Sequence, residues 1–136
     1  MDQSDAETFV ARFHDVRKSN DAEAIMEFFV DQPEFCISGQ CRATSIAARH
    51  EKTDDFTALA QHLTSTWSWI NVVFHNIVVS GDLLITRYTL TVRHLPTDRQ
   101  TETDIVDFMR MHDGKVASMT QYVDTAHLSA IALGDG

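Results

Sequence analysis

Two spacings of apolar residues divide the chain. Phe9, Val10, Phe13 and Val16 stand three and four apart, which predicts an amphipathic helix over residues 5–19. Ser4-Asp5-Ala6-Glu7 in front of it has the form of a capping box, a hydroxyl and a carboxylate that satisfy the first free N–H groups reciprocally. Asn20-Asp21 breaks that helix, and Asn20-x-x-Glu23 opens a second with Ile25, Phe28 and Phe29 on its apolar face, stopped by Pro33. Glu34 to Ser38 reads as a short strand ended by Gly39. Residues 40–53 show no clear period. A stripe of Phe56, Leu59, Ala60 and Leu63 then predicts a third helix, capped by Asp54 or Asp55 and ending near Trp67.

The rest of the chain has strand character. Ile70 to Ser80 alternates poorly and is apolar enough to suggest burial on both faces. After Ser80-Gly81-Asp82, the run from Leu83 to Arg93 is dense in β-branched and aromatic residues. Pro96-Thr97-Asp98 is turn chemistry, Thr101 to Met111 alternates again, and Asp113-Gly114 is a hairpin signal leading into a strand from Val116 to Val123. Thr125 caps a last helix to about Leu133. Helices first and a strand meander afterwards give an α+β class, read as a single domain over residues 1–136: a curved antiparallel sheet with the N-terminal helices packed on its concave face, and a pocket between them.

One position breaks the pattern. Asp107 shares its face with Ile105, Met109 and Met111, and a carboxylate in an apolar row must be paired, protonated or facing a cavity, because an unpaired buried charge costs several kcal/mol. The parity assigned to the strands points Arg87, Thr89 and Thr91 of the long strand, Asp107 and Met109 of the next, and Met119, Gln121 and Val123 of the last into one cavity. Trp67 and Trp69, with Phe13 and Phe29 from the helices, supply its apolar wall. An arginine within ~4–6 Å would lower the carboxyl pKa by about 1–3 units and keep it ionised; burial without that contact would raise it. A salt bridge that only fixes strand register is the competing reading of the pair. The opposite face then carries Tyr88, Leu90, Val92, Val106, Phe108 and Tyr122, and needs a cover, expected to be a second copy of the chain in a homodimer through the convex face.

Charge and composition remove other classes. Eleven Lys and Arg stand against 20 Asp and Glu, a net charge of −9, which excludes a nucleic-acid partner and an anionic membrane surface. No apolar run approaches the ~18 residues of a membrane span, and the acidic start MDQSDAETF is unlike a secretory signal. A cytoplasmic location is expected, with Cys36 and Cys41 as reduced thiols: a C-x4-C pair without a second pair has no zinc-site spacing. No two of the seven histidines stand at metal-ligand spacing, so no metal and no cofactor is expected. His75 and His94 are the histidines with a route to the cavity, and His94 at the rim is a candidate acid/base beside Asp107.

Asp104-Ile105-Val106-Asp107-Phe108-Met109-Arg110-Met111, Gly114-Lys115-Val116 and Met119-x-Gln121-Tyr122-x-x-x-x-His127-Leu128-Ser129 resemble the last two strands of a bacterial ketosteroid isomerase. Asn20-Asp21-Ala22-Glu23-Ala24-Ile25 is similar to that family's second helix. The order of elements resembles the nuclear transport factor 2-like superfamily, which includes these isomerases, limonene epoxide hydrolases and polyketide cyclases of the SnoaL type. That resemblance implies a cone-shaped, cystatin-like fold. It also places Asp107 where the isomerase holds its protonated oxyanion-hole acid, but Phe13 where that family has a tyrosine, and Ile37, beside Ser38, where it has its aspartate base. Against the epoxide hydrolases the strand arginine matches Arg87, while its two acidic partners fall on Thr89 and Gln121. The implied function is a pocket for a small apolar organic ligand. If catalytic, it would run metal-free isomerase, cyclase, dehydratase or hydrolase chemistry, with Asp107 as acid or base and Arg87 stabilising negative charge. The missing partners favour the alternative, a non-catalytic binding or dimerisation module.

Overall fold

The computed structural model describes residues 1–38, 48–50 and 56–134, the middle group as backbone only. In chain order the elements are α1 (Gln3–Ser19), α2 (Ala22–Met26), β1 (Phe29–Ile37), β2 (Ala48–His50), α3 (Phe56–Thr66), β3 (Trp67–Ser80), β4 (Leu83–His94), β5 (Arg99–His112), β6 (Lys115–Val123) and α4 (Thr125–Leu133). The strands form one sheet in the order β2-β1-β6-β5-β4-β3. The four C-terminal strands are the antiparallel meander expected, extended by β1, which pairs parallel to β6, and by β2, antiparallel to β1.

Local chemistry explains most boundaries. Asp2, not Ser4, caps α1, accepting from the Asp5 amide at 2.7 Å. Asp21 caps α2 by accepting from Ala24, and Asp124, one residue earlier than predicted, caps α4 through the His127 amide. Phe29 and Pro33, assigned in sequence to the second helix and its stop, both belong to β1. Pro33 falls in the stretch between Phe29 and Glu34 where the β1–β6 register shifts; a residue without an N–H is tolerated at such an irregularity. At the β5–β6 turn Asp113 (φ 49°) and Gly114 (φ 79°) are both left-handed, the geometry that favours Asp-Gly in a tight hairpin. The proposed caps of α3 at Asp54 and Asp55, and Gly39 and Cys41, lie outside the described residues.

β3 departs from the sequence reading. It lies at the sheet edge, and its outer residues Val73 and Val78 are about half exposed, at 51% and 48%, so it is covered on one face rather than two. Register breaks at Trp69/Asn71 and Phe74/Asn76 add unpaired residues that bend the strand.

The helices pack on one face of the sheet, α1 and α3 against β3 and α4 against β5. The core beneath them is in two parts. One joins α1, α2, β1 and α3 to Leu84, Met109 and Met119; the other joins Trp67, Trp69, Tyr88, Leu90, Ile105 and Leu128. The parity of β4 is opposite to the sequence expectation: Leu84, Thr86, Tyr88, Leu90, Val92 and His94 are buried on the helix side, and Arg87, Thr89 and Thr91 point away. Bulk decided this, because the set with Tyr88, Leu90 and Val92 removes far more apolar surface from water than an arginine and two threonines would.

Candidate functional site

Between the two core clusters lies a cavity of about 100 Å³. Phe13 and Arg17 of α1, Phe29 and Ile37 of β1, Leu59 and Ala60 of α3, Trp67 and Trp69 of β3, Leu90 and Val92 of β4, Ile105 of β5, Met119, Gln121 and Val123 of β6 and Leu128 of α4 line it. No Asp or Glu is among the described lining residues. The wall is therefore apolar with a few polar groups, of which Gln121 and Arg17 belong to buried networks.

The first network crosses three strands. Asp107 pairs directly with Thr86 on one side and Gln121 on the other, and Tyr88 stands two positions along β4 from Thr86. A long side chain spans that diagonal. The Tyr88 hydroxyl donates to Asp107 Oδ2 at 2.7 Å, and Gln121 Nε2 donates to the Tyr88 oxygen at 3.4 Å. Tyr88 and Asp107 are both fully buried and neither lines the cavity; only Gln121 reaches it. Burial pushes Asp107 up to about 7, against the hydrogen bond from Tyr88 and the nearby Gln121 amide, which pull it down. The Tyr88 phenol is driven well above its ordinary value by burial first and then by the neighbouring Asp107. Asp107 Oδ1 and the hydroxyl of its strand partner Thr86 have no hydrogen-bond partner among the described residues. A carboxyl that titrates near neutrality, with one oxygen unused, can exchange a proton at physiological pH.

The second network comes from α1. Ala6, Val10, Phe13, His14 and Arg17 form the buried stripe of that helix. The His14 ring stacks edge-on to Tyr88 and Phe74 with centroids 4.6 and 4.7 Å away, and lies 5.1 Å from Trp69. Burial lowers it to about 3, with Lys18 and Arg17 contributing, so it is neutral at ordinary pH. The Arg17 guanidinium sits 5.0 Å from the centroid of the Trp69 ring. It donates to the carbonyls of Trp67 (2.9 Å) and Leu63 (3.4 Å) and to the Asn20 side chain (3.0 Å).

Of the residues singled out from sequence, Phe13, Phe29, Trp67, Trp69, Met119, Gln121 and Val123 line the cavity. Met109 is buried in the core beside Asp107 without lining it. His94 is buried at the end of β4, its ring 4.6 Å from Trp67 and its Nδ1 2.9 Å from the Thr97 hydroxyl, with its pKa lowered by burial. It touches the back of the wall rather than Asp107. Arg87 and Thr89 are separated from the cavity by the sheet. On the outer face Thr89 donates to Asp104 Oδ1 at 2.7 Å, Arg87 reaches Asp104 Oδ2 at 3.5 Å, and His75 Nε2 is 2.7 Å from the Thr89 oxygen. Of the two alternatives for Asp107, with and without Arg87 beside it, the structure has the second: Arg87 meets Asp104 on the outer face and Tyr88 bonds to Asp107, both consequences of the β4 parity.

Sequence reasoning missed His14, Arg17, Tyr88 and His62, the last an exposed α3 residue on the cavity's edge. A signal existed for two of them: Val10, Phe13, His14 and Arg17 stand at i, i+3, i+4 and i+7, so two polar side chains occupy the core-facing stripe of an amphipathic helix. Among the described residues no cluster of three or more His, Cys, Asp or Glu is placed to hold a metal ion, and no helix is long and apolar enough to cross a membrane.

The comparisons agree with this architecture. A family model for the SnoaL-like domain matches residues 10–119. An NTF2-like protein from Burkholderia xenovorans LB400 superposes with a TM-score of 0.70 at 21% identity, over 95% of this chain and 96% of its own. An NTF2-like protein of unknown function from Burkholderia pseudomallei K96243 gives 0.76 at 13% identity, over 91% and 94%. An LEH-like epoxide hydrolase from M. tuberculosis gives 0.69 at 15% identity, over 96% and 97%. No curated protein matches the sequence.

Proposed function

The chain belongs to the SnoaL-like family, and on that premise we propose that it binds a compact, mostly apolar organic molecule in the cavity between its two core clusters. The cavity itself carries this reading. Close-packed cores leave few voids of that size, and this one is walled by side chains from both sheet and helices, with Gln121 and Arg17 as polar contacts. Small-molecule sites have this composition, apolar walls with a few fixed polar groups. The test is an NMR screen of single-ring aromatic and alicyclic fragments, with Ala60→Phe as a variant that fills the space. Shifts at the methyl groups of Leu90, Val92 and Leu128 that vanish in Ala60→Phe are expected. Shifts confined to the outer sheet face, or none, would contradict it.

A catalytic reading rests on a different observation, the buried carboxyl raised to about 7 and linked through Tyr88 to Gln121 at the cavity. Metal-free acid/base chemistry of the isomerase, cyclase, dehydratase or hydrolase kind would use Asp107 as the group that holds the proton. Because Asp107 does not line the cavity, a substrate would have to reach it by displacing the Gln121 amide. Binding without turnover is therefore the better supported reading. Turnover of a bound ligand that Asp107→Asn abolishes, with binding intact, would reverse that order; a variant altered only in melting temperature would leave it standing.

The same reading includes a homodimer through the outer sheet face. Phe108 and Tyr122, with ring centroids 5.8 Å apart, are 40% and 49% exposed there, on the face that also carries the exposed Val73 and Val78. Tyr88, Leu90 and Val92, first assigned to this face, belong to the core. Light scattering that gives a monomer mass would remove the dimer.

A further inference from the structure

We infer that the ligand is an organic anion, and that the Arg17 guanidinium is the group that receives its carboxylate or equivalent anionic head. The inference rests on the pocket reading above and adds a charge to it.

Arg17 is buried, lines the cavity, and has no carboxylate partner among the described residues. Buried arginines are ordinarily paired, because an uncompensated charge in a low-dielectric site costs several kcal/mol. Its electrostatic neighbours are Tyr88 and His14, neither of them an anion at neutral pH, and burial lowers the guanidinium only to about 10, so it remains cationic there. Asp107 does not serve as its counter-ion: that carboxyl bonds to Tyr88 and titrates near 7.

The contacts that Arg17 does make leave capacity over. A guanidinium has five N–H donors, and three bonds are made, to Asn20, Leu63 and Trp67. They tie the end of α1 to the α3–β3 junction, and the Trp69 ring steadies the cation. Two donors have no partner among the described residues, in a group that lines the cavity. Bracing backbone carbonyls requires donors but no charge. A full positive charge on a cavity wall with no Asp or Glu among its described lining residues matches an anion. The chain's net charge of −9 makes the local cation more telling, since the surface as a whole repels anions. The cavity, about 100 Å³, is of the scale that accepts a single ring.

The probes are benzoate and its neutral analogue benzamide, titrated into the full chain at pH 7 and followed by NMR, with Arg17→Gln and Arg17→Lys alongside. A charge-assisted bond to the guanidinium predicts benzoate binding about 10- to 100-fold tighter than benzamide. Arg17→Gln is expected to abolish that preference and Arg17→Lys to keep part of it. Equal affinity of the two probes for the wild-type chain would overturn the anion assignment while leaving the pocket reading intact. Retained preference in Arg17→Gln would overturn the role of Arg17, and binding of neither probe would overturn both. Should Arg17→Gln fail to fold, the wild-type ratio decides alone.

Discussion

Asp104 and Asp107 stand three residues apart on β5, and each accepts a hydroxyl hydrogen bond of 2.7 Å from β4, from Thr89 and Tyr88 respectively. Strand alternation puts them on opposite faces. Asp104 is exposed, and the Thr89 bond, with Arg87 beyond it, holds its carboxyl below the usual range. Asp107 is fully buried, and the same kind of bond fails to offset burial, so its carboxyl rises to about 7. Solvent, rather than hydrogen-bond length, sets the sign. The outer carboxyl stays ionised in a surface network, while the inner one changes protonation near neutral pH, behind a cavity.

The largest expected effect is on pH-dependent stability. The Asp107 carboxyl releases its proton near 3.8 when unfolded and near 7 in the fold, so its contribution is full below about pH 4 and declines as pH rises toward 7, by roughly 4 kcal/mol. His14 runs the other way, from 6.5 to about 3: its contribution is full above pH 6.5 and is lost as pH falls toward 3. Between about pH 4 and 6.5 the two slopes cancel. Asp107→Asn leaves the His14 slope uncompensated, and urea denaturation should then show stability rising by roughly 3 kcal/mol across that window. A variant profile parallel to the wild type would break the comparison between the two carboxyls.

Next in size, Tyr88→Phe removes the one hydroxyl that pulls the Asp107 carboxyl down and leaves a buried acceptor unmet. A loss of about 1–3 kcal/mol at pH 7 is expected in chemical denaturation, together with a higher carboxyl titration. Unchanged stability would mean that the 2.7 Å bond contributes nothing. The smallest effect belongs to the outer face. Arg87→Ala should leave the melting temperature within about 2 °C, because an exposed ion pair of 3.5 Å is weak, and should leave ligand binding unaltered. A change in fragment affinity on removing Arg87 would show that the two faces are not separate.

Much of the fold was legible. The meander from β3 to β6 follows from β-branched and aromatic density in β3 and β4, from alternation in β5 and from turn chemistry at Asp98 and Asp113-Gly114, and the α3 stripe of Phe56, Leu59 and Ala60 is buried as its spacing requires. β1 was misjudged in extent because Phe29 continues a helical apolar pattern while tertiary pairing with Val116 draws it into the sheet. The site was half legible. Asp107 announced itself as a charge in an apolar row, and Met119, Gln121 and Val123 share the inner face of β6. On β4 the parity that turns Arg87 inward yields to the bulk of Tyr88, Leu90 and Val92 on the alternate set, which is the stronger physical signal. His14 and Arg17 were hidden because polar residues near a helix end are commonly solvated, and only their spacing from Val10 and Phe13 marks them as buried.

The most direct measurement is a carbon-13 NMR titration of the side-chain carboxyls of Asp104 and Asp107 in one sample. The account predicts that Asp104 titrates below the ordinary aspartate range and Asp107 near pH 7. Titration of both in the ordinary range, or Asp107 as the lower of the two, would contradict it.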